Sequence, residues 1–350
     1  MARDWLDDDW EYADAMTKQR DSYWDLWRGV AIIAVVWIHT KSGESYAGWG
    51  HDYWVVVKKL IDFPVALFLF ISGYLVNIDK LRAPGTWMKT RMVRLLIPFF
   101  VWSGVYTIIE TVKSQGAVRP LATLVKFVFG FSAMPLYFIL VLVQLTVLTP
   151  LLVQALHTRW VWAWYALTPA YVVLLYAWTI RTGGMPPKYY CLFPGWLCFY
   201  LMGLHLRQNQ TSIPAAWMAA GFAVSTAAGV AESYALLHAG ASPELAGSQL
   251  SATSVVGSCF LLLLVYAMRR PAKPSPLSAL GVDSYGVYYL HILWMGLISP
   301  AFDVGGMFVS APLPAIQAMQ VVTVVAASLL TMMAVRKLAG RRPASRLLGF

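Results

Sequence analysis

From residue 24 onward the chain reads as long apolar runs broken by short links of proline, glycine and charge. A helix crosses a bilayer's hydrocarbon with about 20 mostly apolar residues. On that measure the pattern predicts about ten spans, at 24–41, 54–77, 93–112, 135–156, 160–180, 190–207, 213–236, 250–268, 281–299 and 314–336. The links between them, such as RTGGMPPK (181–188) and RRPAKPSP (269–276), are rich in turn formers, and none is long enough for a soluble domain. The expected fold is an all-α integral membrane protein, a single polytopic bundle of about ten transmembrane helices. Its expected divisions are an acidic cytoplasmic N-terminal segment (1–23), a transmembrane domain (24–338) and a basic cytoplasmic tail (339–350).

Composition agrees with the pattern. The 350 residues are 59% hydrophobic and only 13% charged, with a mean hydropathy of +0.59, which no single soluble core of ordinary surface could absorb. The 16 Trp and 18 Tyr fall largely at the edges of apolar runs, as rings anchored at headgroup level would. A formal charge of +10 raises nucleic acid as a partner, but the basic residues are dispersed among apolar runs and serve better as topology signals. With the N-terminus inside, 19 of the 27 Lys and Arg lie on the inner side, which predicts that both termini are cytoplasmic. The acidic start, RDWLDDDWEYAD, lacks the basic region of a cleaved signal peptide, so the first helix is expected to be retained. Cys191, Cys198 and Cys259 have no C-x-x-C spacing, which argues against a disulfide frame or a metal site.

Ionisable side chains inside hydrocarbon are costly, so each is a candidate site residue. His39 follows Arg28 by eleven residues, a rise of about 16 Å and a rotation of about 1,100° that brings both to nearly one helix face. His291 lies about ten residues into the ninth span, which runs in the same direction, so the two histidines are expected at similar depths. Ser284, Tyr288 and His291, spaced by four and three, form a polar stripe on that span. A structural role for either imidazole, donating to a neighbouring helix, is the competing reading. Glu110, towards the outer end of the third span, is placed either to orient or activate an imidazole or to pair with Lys113. Asp62, Glu232 and Asp303 read as solvated helix ends. Trp87, Arg91 and Arg94 share a face by the i, i+4, i+7 rule; two guanidinium forks and an indole suit a nucleotide's phosphates and base, or anchor the helix to anionic lipid.

Six segments, in order, resemble the membrane acyltransferase 3 family. They are LWRGVAIIAVVWIH, FPVALFLFISGYLV, KTRMVRLLIPFF, MPLYFILVLVQLTVLTPLL, FPGWLCFYLMGLHL and LGVDSYGVYYLHILW, spread over roughly residues 24 to 300. The resemblance implies a multi-spanning O-acyltransferase of the bacterial inner membrane. It would take an acyl group, most commonly acetyl, from cytoplasmic acyl-CoA and place it on a carbohydrate or glycolipid. Membrane lipids and polysaccharide synthesis or export machinery are then the expected partners. It also implies that His39 is the essential first-helix histidine, as general base or transient acyl carrier, and that Arg28 is its accompanying arginine. Arg91, Arg94 and Trp87 become the CoA-handling group, His291 a second catalytic candidate, and Tyr137, Tyr288 and Ser284 substrate contacts. Some members append an SGNH-type domain, which is not expected here because the sequence stops soon after Arg346. A proton-coupled secondary transporter using the two histidines is the alternative from another class.

Overall fold

A computed structural model describes residues 21–40, 49–114, 119–303 and 312–350; most of the acidic segment, together with Lys41 at the end of the first predicted span, lies outside them. The described residues form an all-α bundle. In chain order its helices of seven or more residues are α1 (Ser22–Ile38), α2 (Trp49–Leu60), α3 (Pro64–Tyr74), α4 (Pro84–Lys113), α5 (Pro120–Phe129), α6 (Tyr137–Ala155) and α7 (Val161–Thr182). After these come α8 (Leu197–Asn209), α9 (Ala215–His238), α10 (Ala252–Ala267), α11 (Pro276–Val282), α12 (Ser284–Asp303), α13 (Leu313–Ala339) and α14 (Arg341–Leu348). Among the described residues, five helical stretches are long and apolar enough to cross a membrane: Pro84–Lys113, Met134–Ala155, Val161–Thr182, Ala215–His238 and Leu313–Ala339. This is a multi-pass membrane bundle. Exposed Val173, Leu174, Ile180, Val224, Val322 and Leu330 on its long helices are the side chains that lipid would solvate.

Proline accounts for two of the places where an apolar run is not one helix. The run 54–77 is split into α2 and α3 because Pro64, at the first position of α3, has no N–H to return to an upstream carbonyl and restricts the residue before it. Residues 190–207 begin as two single 3₁₀ turns, Tyr189–Cys191 and Phe193–Gly195, before α8 starts; Pro194 and Gly195 in that stretch favour turn geometry over a longer helix. The run 281–299 enters through the separate short helix α11, whose Ser275 forms a capping box with Ser278. The segment expected as a tail docks on the bundle: Trp102 Nε1 donates to the Leu348 carbonyl at 3.1 Å, and Phe350 is buried beside Trp102.

Two glycine contacts set the helix spacing. A Cβ at Gly281 of α11 would lie 1.6 Å from the Asp25 carbonyl oxygen of α1, and one at Gly29 would lie 2.1 Å from the Leu277 carbonyl oxygen. On the neighbouring pair, a Cβ at Gly73 of α3 would lie 2.2 Å from the Tyr200 carbonyl oxygen, and one at Gly203 of α8 would lie 2.2 Å from that of Phe70. Lipid tails are as apolar as leucine, so helices in a bilayer associate through this kind of close backbone approach and through polar contacts. The polar contacts follow suit. Arg336 of α13 grips Asp283, between α11 and α12, at 2.6 Å, and Trp294 Nε1 of α12 donates to Thr331 of α13 at 3.1 Å. Lys59 and Asp62, at the α2–α3 break, are buried together, with the Lys59 ammonium 3.0 Å from Ser251, which caps α10, and 2.9 Å from Ser254 within it. Asp62 is therefore paired in the interior rather than solvated at a helix end.

Gly281→Ala is expected to lower the melting temperature of the detergent-purified protein by at least about 5 °C, because the added carbon has to displace the α1 backbone. Gly85→Ala, with no atom within 4 Å of the added carbon, is expected to leave it unchanged; equal melting curves for the two variants would contradict the close-contact account.

Candidate functional site

α1 starts on Asp21, whose carboxylate accepts from the Tyr23 N–H at 3.0 Å, and its first turns carry Trp24, Asp25 and Arg28. The Arg28 guanidinium pairs with Asp25 at 2.8 Å, one turn back on the same helix. His39 is the residue that ends the helix; its N–H reaches the Val36 carbonyl at 3.2 Å, and Thr40 Oγ1 donates to the Trp37 carbonyl at 2.7 Å. The tight α1–α11 contact holds this helix against the chain that continues into α12, and α12 brings His291 to it. The ring centroids of His39 and His291 are 5.3 Å apart, with planes inclined at 39°.

The two rings differ in what surrounds them. His291 is completely buried, and its Nδ1 lies 2.6 Å from the Tyr288 carbonyl oxygen. A carbonyl only accepts, so Nδ1 carries the proton and Nε2 presents a lone pair. That Nε2 is buried without a hydrogen-bond partner. His39 is half-buried at the helix end, and Lys58 of α2 places a positive charge within Coulombic reach of it. Just before His39, Trp37 Nε1 donates to Gln317 Oε1 of α13 at 3.1 Å, and the Tyr53 hydroxyl of α2 donates to the same oxygen at 3.1 Å.

Of the remaining residues expected at the site, Tyr288 and Ser284 share α12 with His291. The Tyr288 ring lies 6.0 Å from the His291 ring, but its hydroxyl donates to the Pro135 carbonyl and holds the start of α6. Ser284 is buried at the first turn of α12. Tyr137 packs against Tyr190 and Trp196, with centroids at 4.9 and 5.9 Å. Glu110 bonds neither an imidazole nor Lys113. Its carboxylate meets Lys126 of α5 at 2.5 Å, because the hydroxyl-rich side of α4 faces α5, where Ser103 also donates to the Phe127 carbonyl at 2.5 Å. The Glu110–Lys126 pair borders a cleft of about 160 Å³ with Thr107, Thr111, Ser114, Arg119 and Thr123. Trp87 is buried under the Arg91 guanidinium, 5.7 Å from its ring centre, whereas Arg94 is exposed.

Gln317 and Gln320, both fully buried on one face of α13, were not among the expected site residues. Their signal was two amides three apart inside an otherwise apolar run, uncharged and so less conspicuous than the ionisable groups. Among the described residues no group of three or more His, Cys, Asp or Glu side chains is arranged to hold a metal ion.

The described residues thus form a multi-pass membrane bundle inside which two imidazoles meet. The acyltransferase domain model of the acyltransferase 3 family matches residues 21–334, and the chain belongs to that family. No curated protein and no solved structure matches it. The match takes in both histidines, Arg28, the Trp87–Arg94 segment and the buried glutamines.

Selective ¹⁵N-histidine labelling tests the tautomer. His291, assigned by its loss in His291→Gln, is expected to show a protonated Nδ1 and an unprotonated Nε2 at neutral pH. The opposite pattern would contradict the hydrogen bond to Tyr288.

Proposed function

We propose that the protein is a membrane O-acyltransferase, acetyl being the simplest donor group, that moves an acyl group from acyl-CoA to a sugar hydroxyl of an exported or cell-surface glycan. The observation that carries this reading is the pair of imidazoles 5.3 Å apart where α1 and α12 meet inside the bundle. Family membership supports acyl transfer as the chemistry. In this reading the protein lies in a bacterial inner membrane with about ten membrane-embedded segments and both termini cytoplasmic.

Transfer from a thioester to an alcohol needs alignment of the two reactants, a base for the hydroxyl and a proton for the departing thiolate. His39 ends a helix and is the more open of the two rings, so it is the one a substrate can reach. It takes the hydroxyl proton as the alcohol oxygen bonds to the carbonyl carbon, and returns that proton to sulfur as the C–S bond breaks. The same ring could instead take the acyl group onto nitrogen and pass it on in a second step; direct transfer needs fewer covalent events and is preferred. His291, fully buried, acts as a positioning residue beside it. Arg91, Arg94 and Arg28 are the cations through which the donor's phosphates are drawn to the end of the bundle where α1 begins.

Labelled acetyl-CoA and candidate glycans, supplied to protein in proteoliposomes, test the reading. His39→Ala is expected to lower transfer at least about 100-fold without changing the melting temperature, whereas His291→Gln should shift the pH–rate profile and retain measurable turnover. Full transfer by His39→Ala would overturn the catalytic assignment, and double-reciprocal lines that stay parallel would select the two-step route.

A further inference from the structure

At the end of the bundle where α1 begins, two arginines converge on one phenol ring. Arg207, in the last turn of α8, and Arg269, just beyond α10, place their guanidinium carbons 5.8 and 5.4 Å from the centre of the Tyr74 ring. Arg269 also lies 5.6 Å from the Tyr266 ring, and its hydrogen bond is a long one, 3.4 Å to Gln210 Oε1. Among the described residues neither guanidinium pairs with a carboxylate. Both arginines are exposed, so an anion from the aqueous side can reach their guanidinium forks.

A second observation comes from the ring itself. Tyr74 is 1% exposed, and its hydroxyl is buried with no hydrogen-bond partner. A buried hydroxyl left without an acceptor is unfavourable and uncommon, and an anionic oxygen would satisfy it. The ring is also fixed in place. Trp24 of α1 packs on it at 4.7 Å and Tyr266 at 6.0 Å, while the neighbouring Gly73 is locked against α8.

We propose that Arg207, Arg269 and Tyr74 form a phosphate-binding site. Guanidinium forks match phosphate oxygens in charge and geometry, and the phenol supplies a third donor. Tyr200, whose carbonyl packs on Gly73, is within Coulombic reach of Arg91. One source of the phosphate is the acyl donor, since CoA carries both a diphosphate and a 3′-phosphate and one arginine group cannot cover both; this source rests on the acyltransferase reading above. The other source is an anionic lipid headgroup.

Equilibrium binding to the full chain in phosphatidylcholine nanodiscs separates the two sources. The probes are CoA and phosphate-free pantethine, with melting curves recorded for every variant. The double variant Arg207→Gln/Arg269→Gln is expected to weaken CoA binding about tenfold or more and to flatten its salt dependence, with Tyr74→Phe giving a smaller loss. Pantethine binding should be insensitive to all of these changes. Arg159→Gln, which removes an arginine resting on exposed Trp160, serves as the control and should change nothing. If the double variant is poorly folded, Arg269→Gln alone carries the test, because residue 269 lies outside the helices. In nanodiscs doped with phosphatidylglycerol, loss of bound anionic lipid with CoA binding intact would assign the site to a headgroup. Arginine-dependent CoA binding in a wild-type protein that transfers no acyl group would keep the site and reject the acyltransferase reading. Unchanged binding of both CoA and phosphatidylglycerol in the variants would overturn the proposal.

Discussion

Hydrocarbon offers polar atoms no water, so each one inside this bundle has to be answered by another helix, and helices have to come close enough to answer. The contact of Gly29 and Gly281 is where this requirement is sharpest. With no side chain on either residue, α1 and α11 approach until backbone meets backbone, and the short distance from α11 into α12 carries that closeness to His291. A bulkier residue at either position would separate the helices before the two imidazoles could meet. The Arg336–Asp283 pair ties one end of α13 to the same junction, and near the other end Gln317 accepts from Trp37 and Tyr53 beside His39.

Most polar groups in the bundle find partners under that constraint. Lys59 finds Asp62 and two serines, the Tyr23 hydroxyl reaches the Val265 carbonyl at 2.5 Å, and Trp102 reaches the Leu348 carbonyl. Two of the groups left unanswered are His291 Nε2 and the Tyr74 hydroxyl. One belongs to the imidazole pair and the other to the arginine cluster at the end of α3, the two places where substrate and donor have been proposed to bind. A buried polar atom without a partner is a place where a ligand atom can supply one.

The sequence pattern made the class of fold legible because apolar runs of about 20 residues have few other uses. It also put His39 and His291 on helices running the same way, and rise per residue was enough to bring them to comparable depth. Where a run is interrupted from within, average hydropathy misleads: 54–77 carries Lys58, Lys59 and Asp62 and splits at Pro64, and 190–207 yields only a short α8 after two 3₁₀ turns. Partner choice was the least legible part. Glu110 sits three residues from Lys113 in sequence, but its carboxylate goes to Lys126 because α5 folds back on α4. Nothing local in the sequence reports that return, nor the meeting of Arg207 and Arg269 over one ring.

Photoaffinity labelling tests the account most directly. An acyl-CoA whose short acyl chain carries a diazirine, irradiated on the full-length protein in membranes and mapped by mass spectrometry, reports where the acyl group rests. Labels are expected within about one helical turn of His39 at the end of α1 and of His291 on α12, suppressed by excess acetyl-CoA. Labels confined to the lipid-facing sides of α7 and α9, with none near either histidine, would contradict that placement.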